Sequence, residues 1–190
     1  MVPMVEPEVL MDGTHTIDKC FEVTSKALKS LFKYLKDEGV NIAGTILKPN
    51  MVTSGSAAEI QASAQEVAEM TVKCLNENVP SDLPGITFLS GGQSDIDATA
   101  HLDAMNKIGG FPWKLSFSFG RALQQPSLKA WLGKEGNVPL AQDGCQRHRH
   151  LPLVPSYYSQ IRRPGLLLPT LSTAAHLRCH GKGYLPNAHG

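Results

Sequence analysis

The chain has 190 residues, 42% of them apolar and 18% charged, a composition that suits one soluble globular domain. A formal net charge of +1 argues against an electrostatic nucleic-acid binder, and no run of about 18 uncharged apolar residues exists to form a membrane span. Cys20, Cys74, Cys145 and Cys179 are too widely spaced for a CxxC pair or a zinc signature and read as free thiols of a reducing compartment.

The opening segment, MVPMVEPEVL, has no basic region and does not read as a secretory signal. Val2 to Val5 is a short β-prone run that Pro7 ends. Ile17, Phe21, Thr24, Leu28, Leu31 and Leu35 then recur at steps of four and three, one face of a helix, and Gly39 stops it. Ile42 to Leu47 predicts a second strand, closed by Lys48-Pro49. A Gly/Ser-rich loop, Met51 to Ser56, leads to a helix whose capping box is Ser63-Ala64-Gln65-Glu66 and whose inner face carries Val67, Thr71 and Leu75.

Gly85 to Leu89 predicts the third strand, followed by Ser90-Gly91-Gly92. Ser94, with Asp97 three residues on, caps a helix bearing Ile96, Ala100 and Ala104, which Gly109-Gly110 closes. Trp113 to Phe119 is the fourth strand, Gly120-Arg121 follows, and a short helix is expected to start near Pro126. His15 and His101 have no partner at catalytic or metal spacing and read as surface residues, Trp113 and Trp131 as packing residues.

After Asp143 the character changes. No acidic residue follows, while Arg147, Arg149, Arg162, Arg163, Arg178 and Lys182 join five histidines and five prolines. The sequence thus divides into a body, 1–143, and a tail, 144–190, that lacks sustained helical periodicity and is expected to be mostly disordered.

Strand–helix alternation implies an α/β fold of parallel strands with right-handed crossovers. Four such units fit part of an open doubly wound sheet or part of a (β/α)8 barrel, which when complete takes about 250 residues. Glu6 and Glu8 end the first strand, Lys48 the second, Ser90 the third and Arg121 the fourth, at successive intervals of 42, 42 and 31 residues starting from Glu6. Carboxyl ends of parallel strands meet at one rim, where barrels keep their active sites.

A lysine closing an apolar strand loses solvation, which favours a neutral amine able to attack a carbonyl. One glutamate beside it could act as acid and base while the other orients the amine. Ser90-Gly91-Gly92 and Gly120-Arg121 are strand-end turns suited to an anion such as phosphate. Taken singly, Lys48 also fits a snorkelling strand-end lysine, the glutamates a solvated loop pair, and the glycines ordinary turns.

Four segments together carry more. Val5-Glu6-Pro7-Glu8 with Leu10 and Asp12-Gly13 resembles the fifth-strand motif of class I fructose-bisphosphate aldolases. Gly44-Thr45-Ile46-Leu47-Lys48-Pro49-Asn50-Met51-Val52 resembles that family's Schiff-base motif. Thr87 to Ser94 resembles its seventh strand, and Ser116 to Gln124 its eighth. The resemblance runs from residue 1 to about 142 and implies the last four strand–helix units of a TIM (β/α)8 barrel.

It also implies roles. Lys48 would attack carbon 2 of fructose 1,6-bisphosphate and form an iminium; Glu6 would move protons; Glu8 would support Lys48. Ser90, Gly91, Gly92, Ser118, Gly120 and Arg121 would hold a phosphate of the sugar. Cleavage would give glyceraldehyde 3-phosphate and dihydroxyacetone phosphate, without metal or cofactor, in cytosolic glycolysis and gluconeogenesis.

The family's first four strands, which carry further site residues, and its C-terminal tyrosine have no match here, and the tail resembles an out-of-frame or alternatively spliced translation. A half-barrel is expected to expose its edge strands and to self-associate, enter a family-type tetramer or pair with a complementary half. Two functions therefore stand side by side, aldolase cleavage and a non-catalytic half-barrel that pairs with full-length aldolase subunits, with a product of no function as a third.

Overall fold

A computed structural model describes residues 1–147. Short strands β1 (Met4–Val5), β2 (Ile46–Leu47), β3 (Gly85–Phe88) and β4 (Lys114–Phe117) pair in chain order, every pair parallel. Helices α1 (Ile17–Asp37), α2 (Ala64–Asn78) and α3 (Asp95–Ile108) connect them. After β4 come α4 (Arg121–Trp131) and α5 (Val138–Arg147). The last helix runs across position 143; the disorder expected of the tail concerns, from residue 148 on, residues outside those described.

Period-two alternation sorts the strands into two faces. Leu47, Ile86 and Leu115 stand side by side in register and are all buried against the helices. They join Leu28, Val67, Ala68, Leu75, Phe88, Ala98 and Met105 in one core. Each such large side chain contributes about 1.5–3 kcal/mol by leaving water. The opposite face carries Ile46, Thr87 and Ser116 and points away from the helices.

Local chemistry sets the helix starts. The Thr16 hydroxyl accepts from the Lys19 amide at 3.3 Å to open α1. Ser63 and Glu66 form the expected reciprocal box, with Ser63 N donating to Glu66 at 2.8 Å and Glu66 N to the Ser63 hydroxyl at 3.3 Å. Ser94 accepts from the Asp97 amide at 3.0 Å.

Several expectations are corrected. Ile42–Gly44 is a 3-10 turn rather than strand, because the Thr45 hydroxyl and the Gly44 amide both return to the Asn41 carbonyl. The buried face of α3 is Ala98, His101, Leu102 and Met105, while Ile96 is 60% exposed. α4 begins at Arg121, five residues before Pro126, because the Gly120 carbonyl accepts the Leu123 and Gln124 amides; the proline lies inside the helix. Trp113 packs as expected and its indole donates to the Pro80 carbonyl at 2.8 Å, but Trp131 is exposed.

Candidate active site

The sheet's register decides which polar residues can meet. Val5 pairs with Leu47, so Glu6 and Lys48 follow side by side on the face turned from the helices. The Lys48 amide donates to the Val5 carbonyl at 2.8 Å, which extends the ladder to this point. The Lys48 amine donates to Glu6 Oε2 at 3.0 Å, with the lysine side chain 19% exposed and the glutamate 50%. An amine and a carboxylate, 42 residues apart in sequence, thus form a half-enclosed pair.

Glu8, two residues on, does not join that pair. Its carboxylate lies over the next strand ends, where a side-chain carbon added at Gly91 would sit 3.7 Å from Glu8 Oε1. The carboxylate touching Lys48 is therefore Glu6, which departs from the expectation that Glu8 supports the amine. A carbon added at Gly92 would lie 3.9 Å from a guanidinium nitrogen of Arg121 and 3.3 Å from Met11 Sδ. Gly91 and Gly92 have φ of 59° and 98°, so a side chain at either would strain the backbone as well as crowd these neighbours.

Ser90 is buried, and its carbonyl accepts both the backbone amide and the side-chain amide of Gln93 at 3.0 Å each. Ser118 is half-buried, and its amide donates to the Phe88 carbonyl at 2.8 Å. Gly120 and Arg121 are exposed at the start of α4, and Arg121 is its first residue. Glu8, Gly91, Gly92 and Arg121 thus gather at one part of the rim, and Glu6 with Lys48 at the adjoining part. Among the described residues, no group of three His, Cys, Asp or Glu side chains is arranged to hold a metal ion.

Two residues beside the site, Asn50 and Thr87, were given no role in the sequence analysis, and two histidines were misread there. Asn50 is buried, accepts from the Val9 amide at 3.0 Å and donates to the Thr24 hydroxyl at 3.1 Å, tying the loops after β1 and β2 to α1. Thr87 is buried on the Lys48 side of β3, and its hydroxyl has no protein partner. Alternation within β3, where Ile86 and Phe88 on either side of it face the core, would have found it. His101, read as a surface residue, is instead buried in α3 with Nδ1 at 2.6 Å from Gln93 Oε1. Burial pushes its pKa down, against the opposing pull of Asp97. His15 is likewise half-buried, with Nε2 enclosed and unpartnered.

Four parallel strand–helix units with polar groups at the carboxyl rim define part of a barrel of the (β/α)8 class. Residues 1–151 match the family model described as "Glycolytic: Fructose-bisphosphate aldolase class-I". The chain therefore belongs to the class I fructose-bisphosphate aldolase family. It is 57% identical over 143 residues to a probable fructose-bisphosphate aldolase class 1 of Xanthomonas axonopodis pv. citri, covering 75% of this chain and 43% of that protein. It is 54% identical over 144 residues to the cytoplasmic isozyme of Spinacia oleracea, covering 75% of this chain and 40% of that one.

A solved fructose-bisphosphate aldolase from Plasmodium falciparum, in complex with TRAP and a small-molecule inhibitor, superimposes with a TM-score of 0.78 at 44% identity, covering 83% of this chain and 45% of that chain. The chain thus spans less than half the length of these relatives. No described helix is long and apolar enough to cross a membrane.

Proposed function

We propose that this chain supplies the last four strand–helix units of an aldolase barrel and its Schiff-base lysine. The observation that carries the reading is the 3.0 Å contact between Lys48 Nζ and Glu6 at the carboxyl ends of adjacent parallel strands. Lys48, once its proton has passed to Glu6, adds to carbon 2 of open-chain fructose 1,6-bisphosphate; Glu6 then returns that proton to the departing hydroxyl, so that water leaves, the iminium forms and Glu6 is again a carboxylate. The carbon 3–carbon 4 bond then breaks. Its electron pair flows into the iminium to give an enamine, and the proton of the carbon 4 hydroxyl passes to Glu6.

The products are glyceraldehyde 3-phosphate and, after a proton adds to carbon 3 of the enamine and water hydrolyses the resulting iminium, dihydroxyacetone phosphate. Arg121, with the Ser90, Gly91 and Gly92 turn, the Ser118 hydroxyl and Gly120, holds a phosphate, and Glu8 borders the site from that side. Glycolysis and gluconeogenesis in the cytosol are the setting this chemistry fits, and a family-type tetramer the assembly.

Borohydride reduction in the presence of dihydroxyacetone phosphate tests the reading. The native chain is expected to carry a reduced adduct on the Lys48 peptide, and Lys48→Arg none. A folded native chain that stays unlabelled overturns the reading for this polypeptide.

A second reading is favoured by the sheet's two outer strands, β1 and β4, each paired on one side only among the described residues. In it the chain is a non-catalytic half that docks with aldolase subunits through those edges. Co-purification with intact aldolase, without borohydride labelling, is its expected signature.

A further inference from the structure

The Ser90-Gly91-Gly92 turn has two consecutive residues at positive φ, a shape glycine adopts readily but, being the most flexible residue, loses the most freedom in holding. Contacts at its end set how firmly it is held. The Gln93 backbone amide donates to the Ser90 carbonyl at 3.0 Å, and so does the Gln93 side-chain amide, also at 3.0 Å. A carbonyl only accepts, so the side-chain nitrogen must face Ser90 and the side-chain oxygen must face the other way. That oxygen meets His101 Nδ1 at 2.6 Å. It too only accepts, so the proton of the short bond belongs to Nδ1.

Every donor and acceptor along this line has one permitted orientation. Its far end is anchored: His101 lies on the buried face of α3, beside Leu102 and close to Ala98 and Met105. Ser94, next to Gln93, is meanwhile fixed by capping the same helix.

The geometry points to His101 as a positioning residue that fixes the Ser90–Gly92 turn through Gln93. It touches no substrate; it transmits the rigidity of α3 to a turn whose own residues lack it. Burial favours the neutral ring, which serves the purpose because one proton, on Nδ1, is all the line requires. The consequence for ligand binding rests on the reading of this turn as the phosphate-holding element; the mechanical role does not.

Two substitutions of similar size separate this role from plain packing. Asparagine at 101 puts an amide nitrogen where Nδ1 lies, and glutamine puts one near the position of Nε2, out of line with Gln93. Hydrogen exchange of the full chain reads the turn directly. His101→Gln is expected to speed exchange of the Gln93 backbone amide about fivefold, the loss of one ordinary hydrogen bond, with α1 and α2 amides unchanged. His101→Asn is expected to keep the native rate. Native protection of the Gln93 amide in His101→Gln, or equal loosening in both variants, overturns the positioning role.

Calorimetric titration with fructose 1,6-bisphosphate reads the ligand side. His101→Gln is expected to weaken binding about fivefold and His101→Asn to restore it. A native chain that takes up no sugar bisphosphate refutes the phosphate reading of the turn, while the exchange rates still decide for or against His101.

Discussion

The α1–α3 region and the α4–α5 region are built differently. Each of the first three helices starts on a hydroxyl cap, Thr16, Ser63 or Ser94, and buries a face of several residues. α4 starts on Gly120 with no side-chain cap, contains Pro126 and buries only Ala122. Leu128, Trp131, Leu132, Val138 and Leu140 of that second region are exposed. The comparison separates the proposed site by mechanical quality: Glu6, Lys48 and Ser90 stand on the well-anchored part, whereas Arg121 is the first residue of the loosely anchored helix. An amine and its proton partner need a fixed distance, while a cation that gathers a phosphate from solvent tolerates some travel.

The largest test of this contrast is in the core. Phe88→Ala should cost about 4 kcal/mol in urea unfolding, whereas Leu140→Ser should stay within about 0.5 kcal/mol; similar values for the two would erase the distinction. Next in size, Pro126→Ala should stabilise α4 by about 2 kcal/mol, because alanine restores the amide the Ala122 carbonyl needs and removes the ring. Slower amide exchange within 121–131 is the readout, and unchanged exchange would mean that the proline is not what weakens this helix. Ser63→Ala should cost about 1 kcal/mol through the lost cap, measured as a lower urea midpoint at constant slope.

The smallest effect is a pH dependence. The folded-state pKa of His101 lies below its ordinary value of 6.5, so between those two values the unfolded chain binds more protons. Stability from this residue is therefore full above about 6.5 and declines as pH falls toward the folded-state value. His101→Asn should flatten that part of the stability profile relative to the native chain, and parallel profiles would refute the assignment.

Much of the fold was legible because its signals are local. Caps at Ser63 and Ser94, glycine stops at Gly39 and Gly109, and apolar runs at Ile46-Leu47 and Ile86 to Phe88 each act within a few residues of themselves. The meeting of Glu6 with Lys48 followed from strand ends sharing a rim. What escaped depends on neighbours distant in sequence. His101 looks like a surface polar residue until Gln93 gives its ring a partner, and Ile96 looks like core until the packing selects Ala98 and Leu102 instead. Pro126 misled for a related reason: a favourable start signal was overridden by the Gly120 carbonyl upstream. That Glu8 lies by Gly91 rather than by the amine depends on how the chain leaves β1, which periodicity alone does not resolve.

Gly55 shows what holds the proposed amine in place. A side-chain carbon there would fall 2.4 Å from the Gly13 carbonyl, so the two backbones run in direct contact. Gly55 N donates to His15 O at 2.8 Å, Ser56 N to Met11 O at 2.7 Å and Ala57 N to Gly13 O at 2.9 Å. The excursions that leave β1 and β2 are therefore sewn into a single plate. A displacement of one segment therefore pulls on the other, which helps keep the proposed proton pair, Glu6 and Lys48, at its 3.0 Å separation.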